Sequence, residues 1–194
     1  MKLYYSPLAC SLADHIALRE AGAVFDLEQV DLQTKRTLAG RDFAQITPKA
    51  YVPVLILDNG ETLTENIAIL DWLAAQYPKL GGAGAFARTR LLEALAFIST
   101  ELHRSFKPMW HAASEADRND ARPGIAAHFR LIEDGATSVY LFGDDPTVAD
   151  FYLFVMLLWA ERFGVEVPPR LAALRDAMRD RPAVRTALRA EGLA

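Results

Sequence analysis

The chain has 194 residues, 52% of them hydrophobic, and 21 basic against 25 acidic side chains leave a net charge of −4. That size suits one large domain or two small ones with a sizeable core, and the mixed charge excludes an electrostatic nucleic-acid binder. A single cysteine excludes an internal disulfide framework, and the longest apolar run, "FYLFVMLLWA" at 151–160, is about half the roughly 20 residues that span a bilayer, so a cytoplasmic protein with no membrane partner is expected.

The opening "MKLYYSPLAC" has no long apolar core and does not read as a secretory signal. "KLYYS" is a short β-rich run, and "SLADHIALREAG" follows as a helix with Leu12 and Ile16 one turn apart and Gly22 as its stop. "FDLEQVDL" alternates with period two through Phe25 and Leu27, then slips to Val30 and Leu32. "VPVLILDNGETLTE" reads as a hairpin: Val54 to Leu57 out, Asp58-Asn59-Gly60 as the turn, Thr62-Leu63 back. Thr64 is expected to cap the next helix, whose Ile67, Leu70, Leu73 and Ala74 share a face and which Pro78 stops. The order β-α-β, then β-β-α, predicts a small sheet with helices packed on it over residues 1–77.

"PKLGGAGAF", residues 78–86, is rich in Gly and Pro and reads as a linker. Residues 87–194 read as all-helical. The pattern predicts one long helix over 87–110, bent near Pro108, and another over 125–139. Thr147 with Asp150 three residues on forms a capping-box variant that opens "VADFYLFVMLLWAERF". That segment is apolar almost all round and should be the central buried helix, with short helices near 169–180 and 183–190 after it.

Four features could build a site. Cys10 falls at a helix start, where unpaired N–H groups carry about half a positive charge and lower a thiol's pKa below its free value of about 8.5. Ser11 places a hydroxyl beside it. Pro53, of the type often found cis, leaves the backbone of Val52 free to pair with an extended peptide. Glu65 and Asn66 open a helix, where they suit the ammonium and carboxylate of an α-amino-acid head group. Lys35 and Arg36 sit in a loop next to the presumed site. Each has an ordinary reading too: a small buried thiol, a strand entry, a helix cap, a solvated lysine. Together they would surround a small anionic peptide with a central thiol. Tyr4 and Tyr5 are expected to pack, and His15 to face solvent or the linker. His111 and His128 lack metal-ligand company, so no metal is expected. No second cysteine completes a C-x-x-C pair, which argues against dithiol cycling.

The stretches "MKLYYSPLACSLADHIALRE", "VDLQTKRT", "ITPKAYVPVLILDNGETLTENIAIL", "FISTELHRSFKPMW" and "TVADFYLFVMLLWAERFG" resemble the glutathione S-transferase family, the bacterial beta class most closely. The resemblance implies a thioredoxin-like N-terminal domain, a helical C-terminal domain, a homodimer, and glutathione as co-substrate beside a small hydrophobic electrophile. It implies that Cys10 and His103 reach the glutathione sulfur. Lys35, Val52, Pro53, Glu65, Asn66 and Thr100 would bind the tripeptide. Phe106 and Trp110, following His103, are expected to line the electrophile pocket. Lowering a thiol from about 9 to about 6.5 takes roughly 3.4 kcal/mol, which a helix terminus and a charge-assisted hydrogen bond from His103 or Cys10 could supply. A mixed disulfide of Cys10 with glutathione would add thiol–disulfide exchange, and peroxide reduction is a second side activity. Three positions depart from the family's pattern. Asn66 stands for Ser or Gly, Tyr51 for Gln, and Ala96 for an Asn that helps bind glutathione across the dimer. Asn66 and Ala96 keep open a non-catalytic relative that stores apolar ligands or docks on a partner.

Overall fold

The structure, a computed structural model, describes residues 1–111, 114–136 and 138–193. Five strands form one sheet in the order β3-β2-β1-β4-β5: β1 (Lys2–Tyr5), β2 (Asp26–Asp31), β3 (Arg36–Thr37), β4 (Val54–Ile56) and β5 (Thr62–Thr64). Strand β1 runs parallel to β2, with Leu3 opposite Leu27, and antiparallel to β4, with Leu3 opposite Leu55. The period-two pattern sorts the two faces. Leu3 and Leu55 point into the main core, while Tyr4, Val54, Val30, Val52 and Phe43 form a smaller cluster on the other face. Tyr4 and Tyr5 both pack, as the sequence predicts.

Helices α1 (Ser11–Ala21) and α2 (Asn66–Gln76) cover the main face. Gly22, at φ 71°, closes α1 in the left-handed conformation that favours glycine, and its N–H returns to the Arg19 and Leu18 carbonyls. The hairpin turn falls on Asp58-Asn59-Gly60 as expected. Leu57 N–H bonds the Glu61 carbonyl and Gly60 N–H the Leu57 carbonyl. Thr64 does not cap α2. It lies in β5, and its hydroxyl accepts from Lys49 Nζ at 3.1 Å, so Glu65 takes the cap position. The buried face of α2 uses Ile69 with Leu70 and Leu73, and Ile67 is only half-buried.

The helical half contains α3 (Ala87–Phe97), α4 (Lys107–His111), α5 (Glu115–Gly135), α6 (Val148–Phe163), α7 (Pro169–Asp180) and α8 (Pro182–Ala190). The expected long helix is interrupted before Pro108: Ile98–His103 forms a π-helical turn, and Pro108 sits in the first turn of α4, where a missing N–H costs nothing. Helix α5 starts at Glu115 rather than 125. A Ser114–Asp117 capping box opens it, and Pro123 lies in its interior; position 137 of the expected 125–139 span lies outside the described residues. Helix α6 matches its reading: every residue from Val148 to Ala160 is buried, and its face packs on α1, α2 and α3. Leu3 of the sheet, Leu70 of α2 and Leu188 of α8 belong to one continuous core, so the two halves share their interior. Among the described residues no helix is long and apolar enough to cross a membrane.

Candidate functional site

A cleft of about 670 Å³ opens where the β1–α1 loop and the start of α2 meet the helical half. One wall is peptide-like: Cys10, Val52, cis-Pro53, Glu65 and Asn66. The opposite wall is aromatic: His103, Trp110, Tyr152 and Trp159.

Cys10 is the N-cap of α1, with Sγ 3.9 Å from the Val52 carbonyl oxygen. The helix start does not lower its pKa. Burial pushes the thiol up to about 12, and the Asp14 carboxyl one turn along α1 adds to the rise; the backbone N–H groups of Cys10 and Ser11 oppose it without prevailing. The expectation of a low-pKa thiolate is therefore corrected: in this cleft Cys10 is a neutral S–H. Ser11 is also redirected. Its hydroxyl donates to the Ser6 carbonyl at 3.4 Å and accepts from the Ser6 N–H at 3.3 Å, and Ser11 is not among the residues lining the cleft.

Asp14 is wholly buried, and neither carboxyl oxygen has a hydrogen-bond partner. Burial holds its pKa well above the ordinary 3.8. A carboxyl whose folded pKa exceeds its unfolded one contributes fully below the unfolded value, and that contribution is lost as pH rises through the folded value. Asp14→Asn is expected to raise stability at pH 7.5 by about 1–3 kcal/mol. The gain should vanish below about pH 4. Urea titrations at the two pH values measure it, and an equal gain at both would show a packing effect instead.

Asn66 is buried at the start of α2, and neither Oδ1 nor Nδ2 reaches a partner in hydrogen-bond geometry. Glu65, at φ 73°, holds its carboxylate beside Lys49 Nζ and 2.7 Å from the Tyr51 hydroxyl, and both donors lower its pKa. Lys35 is exposed and does not line the cleft; its Nζ donates to the Ala50 carbonyl at 3.1 Å.

His103 lies with Nδ1 2.6 Å from the Tyr152 hydroxyl and its ring edge-on to Trp159 at 4.9 Å. Burial lowers its pKa to about 4, so the imidazole is neutral near pH 7, and the charge in any hydrogen bond it donates to an ionised sulfur is the sulfur's. Burial pushes the Tyr152 phenol well above its usual range, with Cys10 adding to the rise and Ser99 and Asn66 opposing it. The tautomer with the proton on Nε2 is the one in which the Tyr152 hydroxyl donates to Nδ1.

Besides Lys35, two expected site residues do not line the cleft. Thr100 is exposed, and its hydroxyl donates to Glu101 at 3.0 Å; Ser99, four residues before His103 and so on the same helical face, lines the cleft instead. Phe106 is fully buried behind the wall, edge-on to Trp159 at 5.5 Å and to Phe129 at 6.3 Å. Trp110 does line the cleft. Sequence reasoning missed Ser99, Tyr152 and Trp159. The last two stand seven residues apart in α6, two turns on one face, and are the two side chains with polar tips in the apolar run 151–160, a signal that was available. His15 does not face solvent: it is buried, with Nδ1 2.9 Å from Glu191 Oε1. Among the described residues no three His, Cys, Asp or Glu side chains gather as metal ligands.

A thioredoxin-like sheet carrying a thiol at the start of α1, joined to a helical half across an amphipathic cleft, defines a thiol-peptide-handling protein. The family models for the glutathione S-transferase N-terminal and C-terminal domains match residues 9–76 and 71–190. The chain belongs to the glutathione S-transferase family. It is 38% identical to glutathione S-transferase GstA of Escherichia coli over the full length of both. A sphingomonad glutathione S-transferase solved in complex with glutathione is 45% identical, covers all of both chains and superposes with a TM-score of 0.91. The bacterial beta-class enzyme of Sphingomonas chungbukensis is 42% identical with a TM-score of 0.89, again over both full chains.

Proposed function

We propose that this chain binds glutathione against the peptide-like wall and directs its thiolate at a soft, apolar electrophile seated on the aromatic wall. The two-sided lining of the cleft carries this reading. The unpaired N–H groups at the start of α2 and the orphaned Asn66 amide receive the γ-glutamyl carboxylate, and Glu65 receives its ammonium. The Val52 backbone pairs with the cysteinyl unit, and Lys35 meets the glycyl carboxylate. Cys10 S–H and His103 Nε2–H are neutral donors to the glutathione sulfur. A helix terminus supplies up to about 2 kcal/mol, an imidazole N–H to ionised sulfur about 1.5–3 kcal/mol, and the weaker S–H donor about 0.5–1.5 kcal/mol. Together these reach the roughly 3.4 kcal/mol that a thiolate near pH 6.5 requires. Holding the electrophile beside the sulfur adds a proximity advantage. The same reading divides the chain into residues 1–77 and 87–194 joined by 78–86, and places it in the cytoplasm as a homodimer.

Retention on immobilised glutathione, followed by turnover of a chlorinated nitrobenzene, tests the proposal. Both are expected. Binding without turnover, or no retention, would favour a non-catalytic ligand carrier. Trp110→Ala is expected to raise KM for the electrophile roughly tenfold while leaving KM for glutathione within twofold, because Trp110 stands on the aromatic wall only.

A further inference from the structure

The loop that carries Cys10 is fastened from behind by the far end of the chain. Glu191 follows α8, 183 positions after Leu8, and its side chain is wholly buried. Oε2 accepts the Leu8 N–H at 3.2 Å, and Oε1 lies 2.9 Å from His15 Nδ1. His15 Nε2 accepts from Arg19 Nε at 3.3 Å, so the ring proton sits on Nδ1 and is donated to Glu191. The Leu8 carbonyl accepts from Trp159 Nε1 at 2.7 Å. Both backbone polar groups of Leu8 are thus taken by side chains from the helical half. Leu8 needs them: its φ of 60° is a left-handed conformation that a branched side chain rarely adopts, so local sequence alone does not hold it. Leu8 lines the cleft two residues before Cys10. The seating of α8 does not depend on this carboxylate, because Val184, Ala187 and Leu188 are already buried in the core.

We infer that Glu191 is a positioning residue for the thiol-handling loop: by gripping the Leu8 backbone, with His15 and Arg19 behind it, the end of the chain sets where Cys10 and the cleft wall stand. This inference rests on the proposed glutathione site only for its kinetic readout. Glu191 touches no substrate and acts through Leu8.

The chain's single cysteine gives a second readout that needs no substrate. In Glu191→Ala, alkylation of Cys10 by iodoacetamide is expected to rise tenfold or more, measured well below the variant's unfolding midpoint. kcat for conjugation should fall about tenfold while KM for glutathione moves less than threefold, because Val52 and the start of α2 are untouched. Glu191→Gln keeps an acceptor for the Leu8 N–H and should restore most of both. If Glu191→Ala does not fold, Glu191→Asp reads the same quantity, since its shorter arm cannot span Leu8 and His15 together, and a severalfold rise in alkylation is expected. An alkylation rate within twofold of wild type in the folded Ala or Asp variant overturns the inference and leaves Glu191 a purely structural residue. Should the wild-type protein show no conjugation at all, the failure belongs to the proposed function, and the alkylation comparison still decides the role of Glu191.

Discussion

Asp150→Ala is expected to destabilise the fold by about 3–5 kcal/mol and to lower the unfolding midpoint by roughly 10 °C or more. Asp150 is wholly buried and uses both oxygens. Oδ1 accepts the Leu141 N–H at 2.8 Å, and Oδ2 accepts the Thr147 N–H and the Thr147 hydroxyl, each at 2.8 Å. The carboxylate therefore pins the start of α6 and ties the approaching Leu141 segment to it. Removing it leaves donors buried, and each unpaired donor costs about 1–3 kcal/mol. The first turn of α6 also loses a negative charge that complements its exposed N–H groups. The loss spreads because α6 is the element on which α1, α2 and α3 all pack. Thr147→Val removes only the hydroxyl and is expected to cost about 1 kcal/mol. Urea unfolding followed by tryptophan fluorescence measures both. A cost below about 1 kcal/mol for Asp150→Ala would show that apolar burial alone fixes the start of α6.

Local chemistry wrote most of the architecture plainly into the sequence. The β-rich run at 2–5, the apolar strand from Val54, Gly22 after α1, the Asp58-Asn59-Gly60 turn and the Thr147–Asp150 box each act within a few residues, and each stands where it was expected. The exceptions depend on distant partners. His15 looked like a surface side chain because Glu191, which buries it, lies 176 positions away. The interruption at Ile98–His103 carries no Gly or Pro, so nothing in the local pattern marks it. The one-residue error between Thr100 and Ser99 follows from helical geometry: adjacent residues point about 100° apart, and only the facing wall decides which enters the cleft. Cys10, Val52 and Asn66 came from helix-start and pre-proline chemistry, His103 and Trp110 from family resemblance, and all five line one cleft. Their protonation was not legible, because burial is a property of the packed fold. It overrode the helix start at Cys10 and left His103 uncharged.

Cys10 in the wild-type protein is expected to be alkylated about 30- to 60-fold more slowly than an unperturbed thiol at pH 7.5. A thiol raised from 9.0 to about 12 has its thiolate population cut by three powers of ten. The stronger nucleophilicity of a more basic thiolate returns about 1.2–1.5 of those powers. The sign is set by the raised pKa: the rate should keep climbing past pH 10, with no inflection near neutrality. Asp14→Asn should speed the reaction severalfold, because the carboxyl is the second cause of the rise, after burial. In conjugation, the acid limb of the pH profile then belongs to the sulfur of glutathione rather than to Cys10. Cys10→Ser, which keeps a donor, should hold kcat/KM within about threefold, whereas Cys10→Ala should lose about 2- to 13-fold, the span of one hydrogen bond from the weak S–H donor. A protonated thiol also attacks disulfides slowly, so exchange with oxidised glutathione should be a minor activity. A rapid alkylation with an inflection near pH 6–7 would mean that the helix start prevails over burial after all, and would make Cys10 a nucleophile in its own right.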